Sequence, residues 1–133
     1  MRIIIYTDGA SRGNPGHAAY GFSIRNGKGK ILYDEGKYLG IETNNFAEYS
    51  AVLSALEYVE NKMKKVSEIN FLMDSKLAVE QLSGRYKIKS PNLKPLIYKI
   101  KQLEGNFLVT YEHIRRELNK DADLLANQAL DSR

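Results

Sequence analysis

Four acidic residues, Asp8, Glu48, Asp74 and Asp123, stand far apart in the chain, each where the pattern of the sequence has a strand or loop meeting a helix. Carboxylates are hard oxygen donors, and several gathered at one point hold divalent cations such as Mg²⁺ or Mn²⁺ rather than zinc, which prefers thiolate and imidazole. With no cysteine and two histidines, the chain offers zinc little. Converging carboxylates would therefore serve metal-dependent chemistry on a phosphate. Taken singly, each acid has a plainer role: Asp8-Gly9 as a turn, Glu48 as the reciprocal partner of an Asn45 cap, Asp74 as an N-cap, Asp123 as a first-turn stabiliser of the helix dipole. Only the elements that carry them can bring them together.

Arg2 to Thr7 is a short β-branched run that predicts a buried central strand stopped by a turn at Asp8-Gly9, followed by the glycine-rich segment from Gly9 to Gly16. Tyr20, Phe22 and Ile24 alternate with smaller residues, and Asn26-Gly27 turns the chain into a second alternating run through Ile31 and Tyr33, which is a hairpin pattern. From Asn45 to about Lys64, Tyr49, Val52, Leu53, Leu56 and Val59 recur at helical spacing behind a cap at Thr43, Asn44 or Asn45. Glu68 to Met73 predicts a strand leading into Asp74-Ser75 and a short helix that ends near Gly84. Leu96, Ile97, Ile100 and Leu103 define a helix closing at Gly105, with Pro91 and Pro95 blurring its start. Phe107 to His113 reads as a fifth strand, and a last helix runs from about Asn119 to Asp131 with Leu125, Ala126, Ala129 and Leu130 as its buried stripe.

This order predicts an α/β fold: a mixed five-stranded sheet flanked by helices on both faces, in one domain over residues 1–133. The long helix supplies a crossover that makes the first and fourth strands parallel neighbours. Reactive edges of such sheets lie beyond the carboxyl ends of parallel strands, which is where Asp8 and Asp74 fall. The topology thus sends two strand ends and two helix starts toward one rim.

A formal charge of +4 among 133 residues, with a pI near 9.2, tilts the partner toward a polyanion without deciding it. Absence of cysteine excludes disulfides and cysteine nucleophiles and fits a cytoplasmic protein. No apolar stretch approaches the roughly 20 residues that span a bilayer, so no membrane association is expected.

The segments Tyr6-Thr7-Asp8-Gly9-Ala10, Thr43-Asn44-Asn45-Phe46-Ala47-Glu48, Met73-Asp74-Ser75 and Asn119-Lys120-Asp121-Ala122-Asp123-Leu124-Leu125-Ala126 resemble, in order and spacing, those of the type I ribonucleases H. Gly13-Asn14-Pro15-Gly16 and Tyr20-Gly21 lie between the first two, so the resemblance covers nearly the whole chain. It implies a ribonuclease H-like fold and a monomeric endonuclease that hydrolyses the RNA strand of RNA–DNA hybrids, with cleavage of double-stranded RNA left open. Asp8, Glu48, Asp74 and Asp123 take the positions of the family's metal ligands, for two Mg²⁺ ions with Mn²⁺ as an alternative. Holliday-junction resolvases and other DNA nucleases share the fold, and a catalytically silent hybrid-binding module is a further alternative; such a module has no need of four carboxylates facing phosphate.

The resemblance extends to accessory residues. His113 matches the position of a mobile histidine that assists proton movement or product release in some members, and it reads equally well as a strand-end side chain. The run Ile114-Arg115-Arg116-Glu117-Leu118-Asn119 looks more like the archaeal and actinobacterial branch, in which an arginine, here Arg116, precedes the last helix. Thr43 would help bind a phosphate of the DNA strand, and Asn14, Asn44 and Asn45 would face the minor groove. The slim backbone of Gly9, Ala10 and Ser11 would approach consecutive ribose hydroxyls. The chain has no tryptophan and, between its middle helices, only a short stretch bearing Arg85, Lys87, Lys89 and Lys94 to meet the nucleic-acid backbone.

Overall fold

The computed structural model describes residues 1–133. In chain order it contains β1 (Arg2–Gly13), β2 (Gly16–Asn26), β3 (Ile31–Glu42), α1 (Asn44–Lys62), β4 (Glu68–Met73), α2 (Lys76–Leu82), α3 (Lys94–Glu104), β5 (Leu108–His113), a 3₁₀ turn (Arg116–Leu118) and α4 (Lys120–Asp131). The strands form one sheet in the order β3-β2-β1-β4-β5. The first three are antiparallel, while β4 runs parallel to both β1 and β5, so α1 is the crossover expected between β1 and β4.

β1 does not stop at Asp8-Gly9. Its parallel pairing with β4 ends at Thr7 opposite Met73, but its antiparallel pairing with β2 continues from Asp8 opposite Gly21 to Gly13 opposite Gly16. A strand extends wherever one neighbour still offers hydrogen-bond partners, and β2 does so on the far edge. Gly9 is there because α1 crosses it: a Cβ at Gly9 would lie 2.4 Å from the Glu48 backbone nitrogen and 2.5 Å from the Ala47 carbonyl carbon.

One face of the sheet carries the main core. Ile3, Ile5, Phe22, Ile24, Ile69 and Phe71 are fully buried together with Tyr49, Val52, Leu56 and Val59 of α1, Leu82 of α2 and Ile100 of α3. Each large side chain removed from water there contributes about 1.5–3 kcal/mol. Pro95 lies in the first turn of α3, where its missing N–H costs no helical bond.

The other face of β1, β2 and β3 is covered by α4, through Ala122, Ala126 and Leu130; Leu125 and Ala129, expected in the buried stripe, are half-buried. Gly21 and Gly36 face each other across β2 and β3. A Cβ at Gly21 would come within 2.4 Å of the Ala122 carbonyl oxygen, and one at Gly36 within 2.4 Å of the Leu125 carbonyl oxygen. This glycine pair lets the backbone of α4 rest on the sheet, which sets the height of its first turn above β1.

Candidate metal and nucleic-acid site

Three carboxylates meet where the parallel pairing of β1 and β4 ends. Asp8 sits one residue past the last β1–β4 pair and is 6 % exposed; Glu48, on the second turn of α1, is 8 % exposed; Asp74 follows the last residue of β4 and is half-buried. One carboxylate oxygen from each lies within 4.8 Å of the others. Their plainer roles belong to neighbours. Thr43 Oγ1 caps α1 by accepting from the Phe46 amide at 3.1 Å, and Ser75 Oγ caps α2 by accepting from the Ala78 amide at 3.2 Å. Glu48 and Asp74 are therefore free of capping duty, and the close crossing of α1 over Gly9 brings Glu48 beside Asp8.

Asp123 stands apart from this triad. It lies in the exposed first turn of α4, borders the same cleft, adds to the raising of the Asp8 carboxyl, and accepts from Asn127 Nδ2 at 3.2 Å. The spacing of Asn127 from Asp123, one helical turn, could have marked it in the sequence.

Burial, and then the crowding of like charge, governs the electrostatics. Burial, then the charges of Glu48 and Asp74, push the Asp8 carboxyl up to about 10. Burial and Asp74 push Glu48 up to about 8, with the Gly9 amide and the Arg116 guanidinium pulling the other way. Without a counter-charge such a cluster retains protons, and a divalent cation can take their place. The donor set fits one: every ligand is a carboxylate oxygen, and Glu48 Oε2 is buried with no hydrogen-bond partner. An orphaned anionic oxygen is costly unless something positive occupies the space in front of it.

The cleft over the triad has a volume of about 420 Å³. Gly9, Ala10 and Ser11 line one side and Asn44 and Asn45 another, with Ser75, Arg116 and Asn127 completing the rim. Gly9 serves α1 packing as well as the cleft, since the space a side chain would fill faces the helix. Asn14 and Thr43 do not reach the carboxylates. They line an adjoining cleft of about 380 Å³ that shares Asn44 and Asn45 and is closed by Ser90 and Asn92. Asn14 Oδ1 accepts from the Asn44 amide at 3.1 Å, which fixes the β1–β2 hairpin tip against the start of α1. Sequence reasoning did not single out Ser90 or Asn92, because nothing local distinguishes them from ordinary turn residues.

The two accessory candidates part company. Arg116 borders the cleft and acts on Glu48 through its charge. His113, exposed at the end of β5, places Nε2 at 3.2 Å from the Asp74 carbonyl oxygen and does not border the cleft.

A family model described as "Reverse transcriptase-like" matches residues 6–129. The crystal structure of RNase H1 from the halophilic archaeon Halobacterium salinarum NRC-1 is similar over the full length of both chains, with a TM-score of 0.93 and 38 % identity. The chain belongs to the type I ribonuclease H family.

Another ribonuclease H of similar structure is LC11-RNase H1, isolated from compost and solved in complex with an RNA/DNA hybrid; its TM-score is 0.92 at 43 % identity, covering 98 % of this chain and 97 % of that one. A bifunctional protein of Mycobacterium tuberculosis is 40 % identical over 134 residues, which covers 99 % of this chain and 36 % of that protein. The chain thus spans about a third of the length of its mycobacterial relative. In this chain the basic stretch before α3 is partly neutralised: Arg85 is paired with Glu80 at 2.6 Å. Gln81 donates to the Lys87 carbonyl at 3.1 Å and holds the segment against α2.

Proposed function

We propose that the chain is a metal-dependent endonuclease that hydrolyses the RNA strand of RNA–DNA hybrids, leaving 5′-phosphate and 3′-hydroxyl ends, with Asp8, Glu48, Asp74 and Asp123 as the metal-binding carboxylates. The observation that carries this reading is the meeting of three carboxylate oxygens within 4.8 Å, one carboxylate having a buried, unpartnered oxygen, on the floor of a polar cleft. The hybrid seen on LC11-RNase H1 supports the substrate.

Two bound Mg²⁺ ions would supply a hydroxide from acidified water and would neutralise the leaving 3′ oxygen. Asp8, whose carboxylate lies beside those of Glu48 and Asp74, would hold the ions together with them and Asp123. A guanidinium is not a base for neutral-pH chemistry, so Arg116 would hold a phosphate oxygen rather than move a proton. His113, with Nε2 beside the Asp74 carbonyl oxygen, would support the backbone of Asp74 from outside the cleft. The backbone of Gly9, Ala10 and Ser11 and the amides of Asn44 and Asn45 present donors and acceptors to ribose hydroxyls in a minor groove, which hybrids display without a base code. Thr43, one step along in the second cleft, would hold a phosphate of the DNA strand, and Asn14 beside it would face the minor groove.

Labelled RNA–DNA, RNA–RNA and DNA–DNA duplexes incubated with Mg²⁺, Mn²⁺ or EDTA test the proposal. The hybrid should be cut in its RNA strand with either metal and left whole in EDTA. Cutting of DNA–DNA alone, or of the hybrid in EDTA, refutes it.

A further inference from the structure

Helix α4 starts without a side-chain cap, although its N-cap residue is Asn119, a type well suited to the task. The amide is engaged elsewhere. Asn119 is 1 % exposed, and its Nδ2 donates to the Thr7 carbonyl at 2.9 Å and to Asp74 Oδ2 at 3.2 Å. Both partners are acceptors, so the amide orientation is determined: turned over, its oxygen would face a carbonyl and a carboxylate. Oδ1 is left buried with no partner. The residue therefore forgoes its own helix cap, and leaves one oxygen unsatisfied, in order to bind the end of β1 and Asp74.

We propose that Asn119 is a positioning residue for metal binding: its amide ties Thr7 and Asp74 to the first turn of α4 and so holds Asp74 and Asp123 at a set separation across the cleft. The inference rests on the reading of the four carboxylates as metal ligands. Asp123 follows Asn119 by one helical turn, and the Asp123 amide donates to the Asn119 carbonyl at 3.2 Å, so whatever locates Asn119 locates Asp123. A carboxylate that already accepts a fixed N–H bond has less freedom to lose when a cation arrives.

A second tie holds the same turn from another side and provides a control. The Arg25 guanidinium packs over the Tyr6 ring, 5.0 Å from its centroid, and pairs with the Asp121 carboxylate. It touches neither Asp74 nor Asp8. Removing Arg25 loosens α4 alone, whereas removing Asn119 loosens α4 and releases Asp74.

The test is a Mg²⁺ titration of melting temperature without substrate, with kcat and KM on an RNA–DNA hybrid, for wild type, Asn119→Ala, Asn119→Ser and Arg25→Ala. Asn119→Ala should raise the Mg²⁺ midpoint and lower kcat, each about tenfold or more, since such supporting contacts commonly have effects of that size. KM for the hybrid should stay within about twofold, because substrate binding is not what the tie serves. Serine can cap a helix but is too short to reach Asp74, so Asn119→Ser should recover metal-free melting temperature without recovering the Mg²⁺ midpoint; if the alanine variant does not fold, the serine variant carries the test. Arg25→Ala should lower the metal-free melting temperature and leave the midpoint near wild type. A wild-type midpoint in either Asn119 variant, or an equal rise in Arg25→Ala, overturns the proposal. A wild-type protein that neither responds to Mg²⁺ nor cuts the hybrid overturns instead the metal-site reading on which it rests.

Discussion

Replacing Asp8 by asparagine should make the metal-free protein more stable at pH 8 while destroying its activity. In the unfolded chain Asp8 ionises near 3.8, whereas in the fold burial and the neighbouring Glu48 and Asp74 hold its proton to about 10. Above about pH 4 the native state therefore binds more protons than the unfolded state, and stability falls as pH rises. One retained proton costs about 1.36 kcal/mol per pH unit, so about 4 kcal/mol between pH 5 and pH 8. The retained proton belongs to the cluster rather than to one residue, and Glu48, pushed up to about 8, adds a second share that fades near that pH. Asp8→Asn removes the first share only. Urea unfolding in EDTA at pH 5, 6, 7 and 8 should show a steep loss for the wild type and a loss smaller by about 4 kcal/mol, one proton's worth, for the variant. For a chain of this size that difference corresponds to more than about 10 °C in melting temperature. Millimolar Mg²⁺ should flatten the wild-type slope by replacing protons, and should have little effect on the variant. A wild type equally stable at pH 5 and pH 8 in EDTA, or a variant that declines just as steeply, would refute the reasoning.

Glu48→Gln and Asp74→Asn should each lower kcat on an RNA–DNA hybrid by orders of magnitude with KM nearly unchanged, which steady-state kinetics will show; a change confined to KM contradicts their assignment to metal binding. Arg116→Ala should lower kcat by about tenfold or more and His113→Ala by less, because only Arg116 borders the cleft; the opposite order reverses their roles. Gly21→Ala forces a methyl group to within 2.4 Å of the Ala122 carbonyl oxygen. It should cost about 1–3 kcal/mol in urea unfolding, as overpacking does, and should reduce cleavage by lifting the turn that carries Asp123.

Much of this architecture is local in origin and therefore legible in the chain. The helical spacing from Tyr49 to Val59, the β-branched run of β1, the Asn26-Gly27 turn and the cap at Thr43, one of three candidates in the sequence, depend on neighbours within a few residues, although the cap of α2 fell to Ser75 and not to Asp74. Those elements imply the parallel β1–β4 pair, and with it the meeting of Asp8 and Asp74 at adjacent strand ends. The charge types of the four acids are likewise enough to indicate a hard divalent cation.

Other features depend on partners remote in sequence. Whether β1 ends at Asp8 or runs on to Gly13 turns on what β2 offers across the sheet, not on the Asp8-Gly9 dipeptide. Gly9 reads as a turn until α1 is laid over it. The setting of Asp123 outside the triad follows from how closely α4 rests on Gly21 and Gly36, which lie one and two strands away from Asp8 across the sheet. Asn119 looks like a helix cap in the sequence, but its partners Thr7 and Asp74 lie 112 and 45 residues away. By itself the sequence determined which elements form and which residues are the candidates for the chemistry, because propensity, capping and periodicity act over single turns and side-chain type belongs to each residue alone. Only the tertiary structure decided which carboxylates touch and what holds them there, because charge repulsion, burial and close backbone contact depend on distances in space.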